Sequence, residues 1–262
     1  MNIIEKIIEI KRKLLSIKRS KFSIDSLEKS RYFNREPYTL YRQISKKSIG
    51  IIAEFKRASP SKGLLNQYNL PLEKVLLGYK KAGAIGVSIL TDFTYFKGKE
   101  QDIIKARKII QLPILYKDII IDEYQVILAK AIGSDVILLI AEVLSKKKIR
   151  TLIQTAKSVG LEVLMELHSE REIYKINEEI FMIGVNNRDL KSFSIKIESS
   201  VKLSKRIPDG FKISESGISN SKQITFLYKK GFNGFLIGEN FMRSYDPGKL
   251  CEELIKKING NQ

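Results

Sequence analysis

The stretch IIAEFKRASPS, residues 51–61, runs from an apolar strand into a polar tip carrying serine and proline. Five further segments repeat that reading: PILYKD (113–118), LEVLMELH (161–168), FMIGVNNRDL (181–190), FKISESGIS (211–219) and FLIGENFM (235–242). Amphipathic, lysine-rich stretches separate them. A chain that repeats strand, polar tip and helix describes a parallel sheet with its chemistry at one edge. Working outward, strands are expected at 49–56, 85–92, 113–118, 134–142, 161–167, 180–186, 211–215 and 234–238. Each has few charges, as strands covered on both faces require. Helices are expected at 72–82, 100–109, 122–131, 145–158, 169–176, 197–206, 220–230 and 247–258. Gly83, Gly133, Gly160 and Gly231 fall just past helix ends, where a left-handed cap favours glycine. Ser145, Ser169 and Ser219 stand where N-caps belong. Eight strands alternating with eight helices predict one closed (β/α)8 barrel over 48–262, an α/β fold with its reactive groups at the strand C-termini. A doubly wound open sheet is the alternative.

Residues 1–47 stand apart. Ile3, Ile4, Ile7, Ile8, Leu14 and Leu15 recur at helical spacing, and a charged connector with Tyr32, Phe33 and Tyr41 follows. The segment is too short for a core of its own and is expected to pack on the barrel as a helical extension. No run of 18 apolar residues exists, so no membrane partner is expected. The N-terminus lacks the unbroken apolar stretch of a secretory signal. A single cysteine, Cys251, leaves no internal disulfide and suits a reducing, cytoplasmic setting; it is expected to be a buried residue of the last helix. The formal charge is +18, of which the first 47 residues, with 13 Lys/Arg and 5 Asp/Glu, hold +8. There is no aromatic RNA-binding run, no zinc spacing and no isolated basic arm, so lysine-covered helix faces are preferred over a nucleic-acid partner. A positive field also suits a small anionic substrate.

The tips carry the chemistry. Glu54 and Lys56 lie two apart and share a strand face. A lysine among apolar walls with a carboxylate beside it can hold an anion or move a proton. Lys117 closes the third strand, where a cationic neighbour would lower its pKa into a working range. Glu166 is an acid in an apolar run, where burial would raise its pKa. His168, the only histidine, reads as a loop residue just beyond that strand. Asn186 and Arg188 share a face, with Asn187 and Asp189 pointing the other way; the first pair suits recognition of a carboxylate. Ser216-Gly217 after the seventh strand and Gly238 after the eighth suggest a phosphate cradle of backbone N–H groups. The 57–70 loop, with Ser59, Pro60, Ser61 and Gly63, is expected to act as a lid. No metal-ligand spacing is visible.

Together, AEFKRASPS, SILTDFTYFKG, PILYKD, the glutamate of LMELH, GVNNRDL, SESGI and LIGENFM resemble the indole-3-glycerol phosphate synthase family, in its order and across nearly the whole chain. The resemblance implies a TIM barrel and a carboxy-lyase of tryptophan biosynthesis. The substrate would be 1-(2-carboxyphenylamino)-1-deoxyribulose 5-phosphate, with no cofactor. Lys117 would be the general acid and Glu166 the general base. Lys56, supported by Glu54, would meet the substrate anions and assist proton transfer. Ser59, Asn186, Arg188 and Glu215 would contact substrate. Leu90, Phe96 and Leu138 would wall its aromatic ring, and Ser216, Gly217 and Gly238 would take the phosphate. Glu239 departs from the serine of some members and would contribute only its backbone N–H. A monomer or weak dimer is expected. Phosphoribosylanthranilate isomerase, a sister barrel, would need a Cys and an Asp at strand ends, where this chain has Lys and Glu.

Overall fold

A computed structural model describes residues 3–189, 192 and 194–260; Leu190 of the GVNNRDL segment and the side chains of Ile3 and Ile4 lie outside that description. Eight parallel strands close into one barrel. They are β1 (Gly50–Phe55), β2 (Gly86–Leu90), β3 (Ile114–Lys117), β4 (Val136–Ile140), β5 (Glu162–Leu167), β6 (Met182–Asn186), β7 (Phe211–Glu215) and β8 (Gly234–Ile237). Closure comes from β1, which pairs with β8 through Gly50 to Gly234 and with β2 through Ile52 to Gly86. All eight expected strands form.

Strand parity sorts the side chains. Ile52, Leu115, Leu138, Leu164, Met182, Ile213 and Leu236 form one buried cluster inside the barrel. Ile51, Ala53, Val87, Ile89, Tyr116, Met165 and Ile237 belong to a second cluster, between the sheet and the helices. Continuing the inner parity toward the strand ends reaches Glu54, Leu90, Lys117, Glu166, Asn186 and Glu215. The polar mouth is therefore the top of the same column that fills the barrel with aliphatic residues.

Outside the barrel strands the structure refines four expectations. The 169–176 stretch forms a 3-10 helix, Glu170–Lys175, because Glu172 accepts from His168 N–H at 2.8 Å and from Ser169 Oγ at 2.8 Å. Ser169 makes no side-chain cap bond, and the cap near Ser219 is Asn220, which accepts from Gln223 N–H. The 57–70 loop is an ordered hairpin that pairs Ala58–Ser59 with Gly63–Leu64. The connector after residue 21 holds two short helices, Ile24–Glu28 and Leu40–Ser45, each too short to show a helical period in the sequence. Ser145 caps its helix, and Gly83, Gly133, Gly160 and Gly231 all have positive φ.

The extension touches both ends of the barrel. Helix α1 (Ile3–Lys21) lies at the mouth, where Ile7 is buried and lines the cavity. Lys11 is buried too and pairs with Asp92 at 3.2 Å and with Asp118. The packed stripe is thus Ile7, Lys11, Leu15 and Lys18, whereas Leu14 is half-exposed, contrary to the simple apolar pattern. Buried lysines escape a hydrophobicity count because their stems are apolar and their heads are paired. Helix α2 (Ile24–Glu28) follows. Arg35 then reaches Asp135, which is fully buried and also accepts from Arg107 at 2.6 Å and from Ile114 N–H at 2.7 Å. Helix α3 (Leu40–Ser45) plugs the far end with Leu40 and Ile44, both in the inner cluster. Gly50 and Gly234 leave room for Ile44, since a Cβ at Gly234 would sit 2.8 Å from its Cδ1.

Glu162 at the start of β5 accepts from Leu40 N–H at 2.7 Å and Tyr41 N–H at 3.2 Å. Burial pushes its carboxyl up to about 7, outweighing those two N–H groups. The folded state therefore favours the protonated acid. That contribution is fully present below the ordinary glutamate pKa and is lost as pH rises through about 7. Glu162→Gln keeps the acceptor oxygen and removes the titration. Thermal unfolding at pH 5 to 8 should show the wild type losing roughly 3 °C or more relative to Glu162→Gln across that range. Parallel curves would refute the assignment.

Candidate active site

A cavity of about 460 Å³ opens at the C-terminal ends of the strands. Every sequence-derived site residue lines it: Glu54, Lys56, Ser59, Leu90, Phe96, Lys117, Leu138, Glu166, Asn186, Arg188, Glu215, Ser216, Gly217, Gly238 and Glu239. They come from all eight strand ends or the loops just after them.

Lys117 is the hub. Its Nζ lies 3.1 Å from Glu166 Oε2 and also pairs with Glu215. All three side chains are nearly buried. Burial opposes the lysine's charge, but Glu215, Glu166 and Glu54 outweigh it and hold the ammonium well above the ordinary lysine range. The expected depression is reversed because carboxylates, not cations, surround the nitrogen. Glu166 is reversed too. Burial would raise it, but Lys117, His168 and Asn186 hold it well below the usual carboxylate range. The carboxyl that burial does raise is Glu215, to about 8, with the Glu166 charge adding to the effect against Lys117.

A second pair sits beside the hub. Lys56 Nζ lies 2.7 Å from Glu54 Oε1, as their shared parity requires. Ser88 Oγ donates to Glu54 Oε2 at 3.4 Å. Arg57 does not face Lys56. It turns outward over the Phe55 ring and binds Asp102. Asn186 Nδ2 donates to Glu166 Oε1 at 3.1 Å, and its Oδ1 accepts from Arg188 N–H at 3.0 Å. Arg188 donates to Ser61 Oγ at 3.1 Å and to Glu239 Oε2 at 3.1 Å, so it ties the hairpin after β1 to the turn after β8. The Glu239 carboxylate thus takes part in the rim, a contribution beyond its backbone. Ser59 Oγ and Glu215 Oε1 are buried with no hydrogen-bond partner among the described residues.

The phosphate candidates have a built turn. Ser216 and Gly217 both have positive φ, +69° and +75°, unusual for a serine. Asn187 points away from the cavity and donates from Nδ2 to Ser216 O at 2.7 Å and to Ser214 Oγ at 3.1 Å, which holds that turn. Sequence reasoning missed Asn187, Ile7 and Lys11. It also missed Gly184, where a Cβ would overlap Glu215 Oε1. A glycine inside a strand is the signal that was present. Gly238 plays the same part for Glu54: a Cβ there would lie 2.8 Å from Glu54 Cβ and overlap its Oε1. His168 is a loop residue just beyond β5, as the sequence suggested, but it is not a solvent-facing one. Its side chain is only 8% exposed, and its Nε2 lies 3.1 Å from Glu166 Oε1. Among the described residues, Glu142, His168 and Glu172 bring ligand-type atoms within 4.8 Å of one another, which linear spacing hid.

A closed parallel barrel with lysines, carboxylates and a glycine turn at its C-terminal rim defines a (β/α)8-barrel enzyme of small-molecule metabolism. The family model for indole-3-glycerol phosphate synthase matches residues 4–254. The indole-3-glycerol phosphate synthase of Bacteroides thetaiotaomicron is 42% identical over 260 residues, covering 98% of this chain and 99% of that protein. That of Carboxydothermus hydrogenoformans is 37% identical over 262 residues, covering 96% and 99%. The chain belongs to the indole-3-glycerol phosphate synthase family. Among solved structures, 3-hexulose-6-phosphate synthase from Salmonella typhimurium superposes with a TM-score of 0.63 over 82% of this chain and all of that one, at 15% identity, a likeness of fold alone.

Gly184→Ala and Gly238→Ala should each cut kcat by about tenfold or more while far-UV circular dichroism stays unchanged, because each added methyl displaces a buried glutamate of the mouth. A Gly238→Ala enzyme with normal kcat and raised KM would instead place the added methyl against the phosphate.

Proposed function

We propose that the chain converts 1-(2-carboxyphenylamino)-1-deoxyribulose 5-phosphate to indole-3-glycerol phosphate, CO₂ and water. The observation that carries this is a buried lysine held against two glutamates in a cavity that also opens on the Ser216-Gly217 turn and Gly238. The reaction needs an acid, a base, an anion clamp and a phosphate cradle. Lys117 rests as an ammonium, the form from which a proton can be given to the ketone oxygen. The carbonyl carbon becomes electrophilic, and the ring carbon bearing the carboxylate attacks it. CO₂ then leaves and restores the aromatic ring; the hydroxyl takes a second proton, from Lys56, and departs as water, while Glu166, ionised at rest, takes the proton of the adjacent carbon to complete the indole. No electrons are exchanged with a second reactant, so the chemistry calls for no redox cofactor. Lys56, braced by Glu54, faces the substrate carboxylate and assists proton transfer. Leu90, Phe96 and Leu138 pack on the ring, with Ser59 and Arg188 at its polar edge. The backbone at Ser216, Gly217 and Gly238 receives the phosphate.

Residues 1–47 act as an extension of a catalytic barrel over 48–262, and Ile7 makes that extension part of the pocket wall. No described helix is long and apolar enough to cross a membrane. Burial pushes the free Cys251 thiol up to about 12, so it is inert, which fits a cytoplasmic enzyme. A monomer or weak dimer is the assembly we favour.

Appearance of indole fluorescence from the ribulose substrate tests the activity directly, and turnover of phosphoribosylanthranilate instead would support the sister isomerase. Lys117→Ala and Glu166→Gln should each lower kcat by roughly 10²–10⁴-fold with the fold intact. Retention of half the wild-type rate would remove that residue from the chemistry. Lys56→Arg keeps the charge but not a releasable proton. A kcat loss of about 10² with KM within several-fold would assign proton transfer, and near-normal kcat would leave Lys56 as a clamp only.

A further inference from the structure

Glu166 has two oxygens with different company. Oε2 faces Lys117 at 3.1 Å. Oε1 accepts a hydrogen bond from Asn186 Nδ2 at 3.1 Å and lies 3.1 Å from His168 Nε2, an ion-pair contact without hydrogen-bond alignment. His168 is not a surface residue at a strand end. Its backbone N–H is fixed by Glu172 Oε2 at 2.8 Å, and its Nδ1 lies 3.9 Å from Glu142 Oε2. The imidazole therefore sits between a carboxylate of the reaction cavity and two carboxylates of a separate cavity of about 360 Å³ behind it.

We propose that His168 is a positioning residue for Glu166, a buried imidazolium that fixes Oε1 and keeps the carboxylate ionised while Lys117 gives up its proton. The inference rests on Glu166 being the base of the proposed reaction. Its physical content is a matter of charge balance. At rest, Lys117 and His168 both stabilise the Glu166 anion. When Lys117 delivers a proton to the substrate, its positive charge leaves Oε2. A low-dielectric site would then favour a neutral glutamic acid, which cannot act as a base. A cation on the opposite oxygen, outside the reacting path, removes that penalty without meeting the substrate. Asn186 fixes direction but carries no charge.

The groups around the imidazole favour its protonated form. Burial opposes it, but Glu166 from β5, Glu172 from the 3-10 helix and Glu142 from the turn after β4 together raise its pKa. Arg171, Arg188, Asp189 and Lys196 line the cavity behind. Glu142, His168 and Glu172 do not make a separate cation site, because both Glu172 oxygens are already engaged by His168 N–H and Ser169 Oγ.

The chain has one histidine, so ¹⁵N-histidine-labelled protein gives a single imidazole titration by NMR. In the wild type the midpoint should lie above 6.5, the ordinary histidine value. In Glu166→Gln it should fall by about one pH unit, since a charge partner has been removed. By reciprocity, His168→Gln should move the acidic limb of kcat/KM upward by roughly half a unit or more. Its kcat should fall about tenfold with KM within roughly threefold. A titration midpoint unmoved by Glu166→Gln, or an acidic limb unmoved in an active His168→Gln enzyme, overturns the proposal. The NMR arm needs no activity and decides the charge contact even if His168→Gln fails to fold. Full activity in Glu166→Gln would instead overturn the role of Glu166 as base.

Discussion

The charge pairing of Lys117 with Glu166 and Glu215 is the interaction on which the rest of the site depends. Three ionisable groups are nearly out of water at one point. Isolated, each would cost several kcal/mol to keep charged. Together they share charge, and the sharing sets three different states. The lysine stays protonated, Glu166 stays ionised, and Glu215 is pushed to about 8. Pairs of titratable groups driven apart in this way are how one site holds an acid and a base at the same pH. The Lys56–Glu54 pair repeats the arrangement at the end of β1, two strands from Lys117 on β3.

Such a cluster has to be given space, and two glycines give it. Gly184 clears the volume taken by Glu215, and Gly238 clears the volume taken by Glu54. Neither has positive φ, so neither is glycine for backbone reasons. Their role is the missing Cβ. This separates them from Gly217, whose φ of +75° follows Ser216 into the turn that Asn187 holds. Glycines at strand ends thus do two jobs in this barrel, and only one of them concerns backbone shape.

The extension is bound into the same design. Helix α1 supplies Ile7 to the cavity wall and inserts Lys11 between Asp92 and Asp118, beside the ends of β2 and β3. At the opposite end, α3 fills the barrel floor with Leu40 and Ile44. Arg35 and Asp135 fasten the span between. The barrel interior is therefore closed below by the extension and bounded above by it, so the shape of the reaction cavity depends on residues far from it in sequence.

Much of this was legible in the chain. Alternation of apolar strand, polar tip and amphipathic helix determined the barrel, because a parallel sheet buries both faces and confines polar residues to its rim. Period-two parity determined that Glu54 and Lys56, and Asn186 and Arg188, would face the mouth together. What the tertiary structure alone decided was the company each group keeps. Lys117 meets carboxylates from β5 and β7, so its pKa rises where local sequence suggested a fall. Glu166 meets Lys117 and His168, so its pKa falls where burial alone suggested a rise. His168 looks like a loop residue in LEVLMELH and is a buried neighbour of Glu166 in space. Periodicity is local and is written in one segment. Coulomb energy depends on distance through space, and barrel closure, by joining β1 to β8, sets those distances.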